Sequence, residues 1–189
     1  FFQEEFCIRD LVRSRGLGDV YKIQDKVPPN STPADHLTWW KQGIEELYND
    51  DQKSDLPKDF NHPTLRLLNY LLLEETHFTK CHFDDILLGR SRDLDLKQYP
   101  DLQSLKDHAV LSCGSLSQLV LESQGLFQKD HALAHQAAKH VGTSHGLTNA
   151  LRTSIPVIST TGKLIIPQDL CVKFGVKSPR YLLSALGMG

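Results

Sequence analysis

The chain has 189 residues, of which 40% are hydrophobic and 23% charged, and its formal net charge at pH 7 is −2. This balance supports a hydrophobic core in one large domain and argues against a protein that binds nucleic acid through bulk positive charge. No apolar run approaches the roughly 20 residues of a membrane-spanning helix, so we expect one globular domain that crosses no bilayer.

Helical patterns begin near the first residue and continue along the chain. A first helix is predicted up to about Ser14, and a loop rich in glycine and proline follows it. Thr32-Pro33 then predicts the start of a second helix, because threonine is a common N-cap and proline suits the first helical turn. The apolar residues of this helix recur at intervals of three and four: Leu37, Trp40, Ile44 and Leu47. Asn61-His62-Pro63 predicts a further helix start.

The second half of the chain contains two long helical patterns. Tyr99-Pro100-Asp101 predicts the start of one helix that ends at Gly125, and another is predicted from about Asp130 to Arg152. A strand-like stretch over 163–166 is too short to build a sheet, and a short helix from Pro167 to Phe174 follows it. Small residues in the second long helix would let another helix approach closely: Ala134, Ala138, Gly142 and Gly146. The predicted fold class is all-α.

Cysteines and the first residues give indications about the origin of the chain. The four cysteines form no Cys-x-x-Cys pair, which favours buried free thiols in a reducing compartment: Cys7, Cys81, Cys113 and Cys171. Met188 is the only methionine, and the first five residues are acidic rather than basic. We therefore expect a fragment or processed chain from which any targeting peptide is absent.

Nine histidines raise the question of a metal site. His131 and His135 are four positions apart, but no acidic residue occurs between Asp130 and Asp169 to complete a hydrolytic zinc site. Cys81-His82 is interpreted as a pair without partner ligands, and no Gly-x-Ser-x-Gly elbow or glycine-rich phosphate loop occurs. We interpret the four histidines of the second long helix as surface or boundary residues of a polar helix face: His131, His135, His140 and His145. No metal or cofactor is predicted.

A more specific pattern occupies the second long helix and the segment after it. Gly142-Thr-Ser-His-Gly-Leu147-Thr148-Asn149-Ala-Leu151-Arg152, followed by Gly162-Lys163 and Pro167, resembles a signature of squalene/phytoene synthases. In that family a helix with Gly-x-Ala-x-Gln-Leu-Thr-Asn-Ile-Leu-Arg-Asp leads to Arg-Gly-Arg-x-Tyr-Leu-Pro. Upstream, Gly89-Arg-Ser-Arg-Asp93-Leu94 and then Tyr99 are similar to the family's Gly-Met-x-x-Asp-Leu segment. The resemblance implies an isoprenoid synthase-type helical bundle, with residues 1–189 as a single domain truncated at both ends.

The resemblance also implies which residues should bind metal in an active member. Such members bind prenyl diphosphates through Mg²⁺ ions held by two carboxylate-rich helix segments. Mg²⁺ is a hard ion that takes oxygen ligands, and two carboxylates four positions apart share one helix face. Phe6 and Asp10 stand at the first Asp-x-x-x-Asp, and Thr153 and Val157 stand at the second. Because the first 20 residues contain no acidic pair four apart, and 131–168 no acidic residue, both Mg²⁺ motifs are absent.

The resemblance thus implies a pseudoenzyme whose fold serves binding. Asn149 and Arg152 are expected to hydrogen-bond within the bundle, with residual phosphate binding as the alternative. Val157, together with Phe6, is expected to fill the old substrate cavity, which otherwise persists as an apolar pocket.

Further local features resemble the mitochondrial NADH dehydrogenase (complex I) assembly factor 6 group of this family. The segments that carry this resemblance are 39–48, 130–132 and 167–176. It implies a protein on the matrix side of the mitochondrial inner membrane that binds early complex I subunits or assembly factors. Peripheral contact with the membrane or a lipid is possible in this interpretation, whereas nucleic acid is not an expected partner. The alternatives are an active Mg²⁺-dependent prenyl transferase and a generic all-helical interaction protein.

Overall fold

The computed structural model describes residues 32–49, 60, 62–74 and 77–176. These residues form α-helices and one π-helical turn, and no β-strand occurs among them. The helix predicted before Ser14 lies outside the described residues, as do Phe6 and Asp10. In chain order the elements are α1 (Pro33–Leu47), α2 (Pro63–Leu73), α3 (Lys80–Asp95), α4 (Leu102–Ala109), the π turn (Val110–Gly114), α5 (Ser115–Ser123), α6 (Ala132–Thr161) and α7 (Gln168–Lys173). The all-α prediction is confirmed.

Helices α1 and α2 begin where the sequence predicts. The Thr32 hydroxyl accepts a hydrogen bond from the Asp35 amide (3.2 Å), and the Asp35 carboxylate accepts one from the Thr32 amide (2.8 Å). This reciprocal arrangement is a capping box, which satisfies amides that a helix start leaves unpaired. At α2, His62 Nδ1 accepts from the Thr64 amide (3.2 Å). Leu65 of α2 is fully buried, so the two capped helices also supply part of the core.

The helix predicted between Tyr99 and Gly125 is interrupted by the π turn, which the sequence analysis missed. A π turn inserts an extra residue and so rotates the following helix face relative to a regular 3.6-residue pattern. Leu105 and Ala109, before the turn, are buried, whereas Val120, after it, is 39% exposed. Polar residues of α5 take the inward positions instead: Ser115, Gln118 and Glu122.

Helix α6 packs most extensively on the π turn and on α5. The expected close approach along its small residues is confirmed at Gly142, where an added Cβ would lie only 2.8 Å from the Cys113 carbonyl carbon. The predicted end near Arg152 is wrong, because α6 continues through Pro156 to Thr161. Burial of Ile158 in the core gives the last turns a tertiary reason to remain helical.

The segment after α6 follows a path set by Gly162, whose φ of +68° ends the helix in the left-handed region. Leu164 and Cys171 then join Ile158 in one hydrophobic cluster. Gln98 Nε2 donates to the Ile166 carbonyl (2.9 Å), and the Gln168 amide donates to the Tyr99 carbonyl (2.9 Å). The strand-like stretch 163–166 is therefore a tethered irregular segment.

The described cysteines differ in their exposure to solvent. Of the described cysteines, Cys171 is buried as expected and Cys113 is half-buried, but Cys81 is exposed, which corrects the expectation of a buried thiol there. Within the part of the chain that the structure describes, no helix combines the length and apolarity needed to cross a membrane.

Candidate functional site

The residues that the resemblance assigns to the second metal position lie on one stretch of α6. Arg152 Nη2 donates to Asn149 Oδ1 (2.9 Å), and the Thr153 hydroxyl donates to the Asn149 carbonyl (2.8 Å). Arg152 is exposed, whereas Val157 is half-buried. The polar side chains of this stretch are thus engaged with α6 itself.

The charge of α6 bears directly on what this stretch could bind. Residues 132–161 include Lys139 and Arg152 but no aspartate or glutamate. Mg²⁺ in diphosphate-binding sites is held by carboxylates together with the substrate phosphates. A helix with cations and neutral side chains could contact an anion, but it supplies no ligand set for Mg²⁺.

Tyr99, Lys163 and His108 meet at Asp93, which lies near the end of α3 and carries the upstream part of the resemblance together with Tyr99. The Tyr99 hydroxyl donates to Asp93 Oδ1 (2.9 Å), and Lys163 Nζ donates to the Asp93 carbonyl (3.0 Å). His108 Nδ1 lies 3.4 Å from Asp93 Oδ1. Burial, more than the neighbouring carboxylate, raises the pKa of Tyr99, and burial also lowers the pKa of His108. This half-buried network ties the segment after α6 to α3 and suits a structural role.

A second cluster joins three other helix ends and contains His82, Glu122 and His135. His82 is in the first turn of α3, Glu122 is near the end of α5, and His135 is in the first turn of α6. Their exposed fractions are 5%, 1% and 1%. Each offers a ligand atom, and these three atoms lie within 4.8 Å of one another. The two imidazole rings are stacked, with centroids 6.4 Å apart and planes at 21°.

Hydrogen bonds orient two of the three side chains of this cluster. The Thr79 amide donates to Glu122 Oε2 (2.9 Å), and the Thr79 hydroxyl donates to Glu122 Oε1. His135 Nε2 lies 2.7 Å from the Leu126 carbonyl oxygen, which can only accept, so Nε2 donates this hydrogen bond. His82 Nε2 is 3.7 Å from Glu122 Oε1, beyond hydrogen-bond length.

Two ring nitrogens of the cluster are buried without a hydrogen-bond partner, namely His82 Nε2 and His135 Nδ1. Burial lowers the pKa of His82 although Glu122 opposes this effect, so the neutral imidazole is favoured. A buried polar atom without a partner is costly and calls for an explanation. Chemically, the cluster brings together two imidazole nitrogens and one oriented carboxylate as candidate metal ligands.

The sequence analysis missed this cluster. His135 is buried rather than a surface or boundary residue, and His82 has neighbours from two other helices, so both earlier interpretations are corrected. His131, His140 and His145 are exposed, in agreement with that analysis. Glu122 gives no signal in the sequence, because it faces inward only after the π turn has rotated α5. No local motif links residues from three helices. The only sequence signal is that all three residues lie in terminal turns.

Comparison with known proteins identifies relatives over most of the chain. NADH dehydrogenase (ubiquinone) complex I, assembly factor 6, from Mus musculus is 27% identical over 164 residues, which cover 87% of this chain and 46% of that protein. The Homo sapiens protein of the same name is 26% identical over the same shares. A Dictyostelium discoideum homolog is 29% identical over 140 residues, covering 74% of this chain and 36% of the homolog. The chain thus spans less than half the length of these relatives.

No solved structure matches the chain significantly. The family model described as squalene/phytoene synthase matches residues 19–185. This match excludes an unrelated all-helical interaction protein and confirms the predicted family. The chain therefore belongs to the squalene/phytoene synthase family, whose fold is the all-α isoprenoid synthase bundle.

Proposed function

We propose that this chain is a non-catalytic member of its family that acts in the assembly of mitochondrial complex I (NADH dehydrogenase) by binding. The observation that carries the proposal is the absence of any carboxylate from 131–168, which includes all of α6. At the family's second metal position, Thr153 uses its hydroxyl within α6 and Val157 has an aliphatic side chain. Without Mg²⁺ to stabilise the departing diphosphate, ionisation of a prenyl diphosphate has no electrostatic support.

The names of the relatives support the choice of process. The mouse and human relatives are named as complex I assembly factors. By analogy we place this chain in mitochondria, on the matrix side of the inner membrane, with early complex I subunits or other assembly factors as its partners. Peripheral contact with the inner membrane or a lipid belongs to the same proposal.

One face of α6 is suited to a protein partner. Leu133 and Leu151 are 82% and 65% exposed. They are separated by about five helical turns and so lie on the same side of the helix. Val141, 68% exposed, lies between them along the helix. We propose these exposed apolar side chains as the contacts of α6 with a protein partner.

Depletion of the protein in its own cells tests the role in assembly. We expect the amount of assembled complex I on native gels to fall while complex II is unchanged, and re-expression of the wild-type protein to restore it. The double variant Leu133→Asp/Leu151→Asp should fold normally but fail to restore complex I. Gln136→Glu, an exposed substitution on the same helix, is the matched control and should restore it. Unchanged complex I after depletion would refute the proposed process.

A ligand titration tests the non-catalytic interpretation separately. The full-length protein is heated with farnesyl or geranylgeranyl diphosphate, with and without Mg²⁺. A ligand at about 100 times its dissociation constant adds about 2.7 kcal/mol of stability, which a melting curve detects easily. We expect no Mg²⁺-dependent shift and no release of diphosphate. A Mg²⁺-dependent shift with turnover would instead support the active prenyl transferase.

A further inference from the structure

We propose that His82, Glu122 and His135 bind a divalent transition-metal ion of the zinc class, which joins the ends of α3, α5 and α6. Two imidazole nitrogens and a carboxylate oxygen are donors that zinc and its neighbours in the first transition series accept readily. They differ from the all-oxygen ligands that Mg²⁺ prefers, so this site is distinct in chemistry and in residues from the family's carboxylate positions on α6.

The geometry needs only a modest closure to bind an ion. Zinc bonds to histidine nitrogen and carboxylate oxygen are about 2.0–2.2 Å long, so tetrahedral ligand atoms lie about 3.4 Å apart. The three ligand atoms lie within 4.8 Å of one another before any adjustment. Since His82 and His135 come from first turns and Glu122 from a last turn, side-chain rotations can close the difference without unfolding a helix.

The surroundings of the cluster are those of a metal site. Metal-bound histidines commonly donate the second ring N–H to a carbonyl, and liganding carboxylates are themselves hydrogen-bonded. His135 Nε2 meets the Leu126 carbonyl at 2.7 Å, and Glu122 accepts two hydrogen bonds from Thr79. The outer hydrogen bonds thus hold two ligands in orientation and leave His135 Nδ1 and His82 Nε2 unpartnered.

A bound cation would also stabilise the buried carboxylate of Glu122. A carboxylate that is 1% exposed is costly unless it is paired. Among the described residues, its hydrogen bonds come from the uncharged Thr79. His82 Nε2 lies 3.7 Å from Glu122 Oε1. A divalent cation would provide the opposing charge and would occupy both unpartnered nitrogens. With three protein ligands, one coordination position remains for a water molecule.

Metal analysis and a zinc titration of the full-length protein test this inference. After treatment with a chelator, we expect one Zn²⁺ to bind per chain and the melting temperature to rise, whereas Mg²⁺ at millimolar concentration should have neither effect. Thr79→Val removes one outer hydrogen bond and should weaken zinc binding about 10- to 100-fold. His140→Gln, an exposed histidine on α6, is the matched control and should bind zinc as the wild type does.

Glu122→Gln separates a metal site from a purely structural network. If the cluster binds metal, the variant loses the zinc-dependent rise in melting temperature, and its metal-free form is at least as stable as the wild type. If the carboxylate only supports the fold, the metal-free variant melts at a lower temperature and zinc has no specific effect on the wild type. Should the variant fail to fold, the Co²⁺-loaded wild type decides. Visible absorption bands of tetrahedral cobalt without sulfur ligands support the site, and six-coordinate aqueous spectra overturn it.

Discussion

Substituting Gly142 by alanine tests the packing at the centre of the bundle. In an isolated helix this change is favourable, since alanine is better than glycine by about 1 kcal/mol in a helix interior. Here the added Cβ would lie 2.8 Å from the Cys113 carbonyl carbon, whereas ordinary contacts lie at 3.4–4 Å. It would also approach the Cys113 carbonyl oxygen and the Ser117 hydroxyl still more closely. The Cys113 carbonyl is part of the backbone, and the Ser117 hydroxyl donates a hydrogen bond to it. Neither group can therefore move away easily from an added methyl group.

The expected magnitude follows from these contacts. Overpacking a well-filled site costs typically 1–3 kcal/mol and occasionally more, and a clash with backbone belongs at the upper end. After the favourable helix propensity is subtracted, Gly142→Ala should lower the free energy of unfolding by about 2 kcal/mol. The cause is that α6 must move away from the π turn by several tenths of an ångström along its most extensive contact.

Gly146→Ala is the matched control, one turn further along α6. Its added Cβ would meet the Ala109 Cβ at 3.1 Å and the Cys113 sulfur at 3.2 Å, so a shift of a few tenths of an ångström relieves the crowding. The propensity gain should then offset most of the crowding, and the stability should change by less than about 1 kcal/mol. Urea denaturation followed by far-UV circular dichroism measures both variants. Equal stability of Gly142→Ala and the wild type would refute the reasoning.

Two further predictions concern the cap of α1 and the pH dependence of stability. Thr32→Ala removes the capping box and should cost about 1 kcal/mol, whereas Thr38→Ala on the exposed face of the same helix should cost less, which urea denaturation can compare. Burial lowers the pKa of His108 below its ordinary value of 6.5. The charges of Arg90 and Arg92 lower this pKa further, and the Asp93 carboxylate opposes the shift. The folded protein therefore binds fewer protons than the unfolded chain below about pH 6.5, so stability is full above that pH and falls as the pH decreases. The free energy of unfolding of the wild type should fall by at most about 1.4 kcal/mol per pH unit from this one group, and that of His108→Gln should fall less. An equal dependence of stability on pH in both proteins would contradict the role of His108.

Local patterns were sufficient for the positions of several helix ends. Thr32-Pro33 and His62-Pro63 mark starts that the structure places at the same residues, because a cap is formed by side chains within three positions. Gly125 and Gly175 have positive φ at the predicted stops. The end of α6 could not be predicted in this way, since Ile158 stabilises the turns after Pro156 by contacts with Leu164 and Cys171.

The candidate sites also differ in how far the sequence alone indicates them. The absence of carboxylates from 131–168 is a property of the sequence, and so is the resemblance around Asn149 and Arg152. The Asp93 network is partly foreseeable, because the resemblance already selected Asp93 and Tyr99, although not His108 or Lys163 as their neighbours.

The sequence by itself determined the helical class, the family and the absence of acidic residues from 131–168, because helix periodicity, caps and motif residues are all encoded within short stretches. Only the tertiary structure decided which polar side chains share an interior. The π turn rotates α5 so that Glu122 faces inward, and the meeting of three helix ends brings it to His82 and His135. Such a cluster depends on how separate helices pack, and no local pattern carries that information.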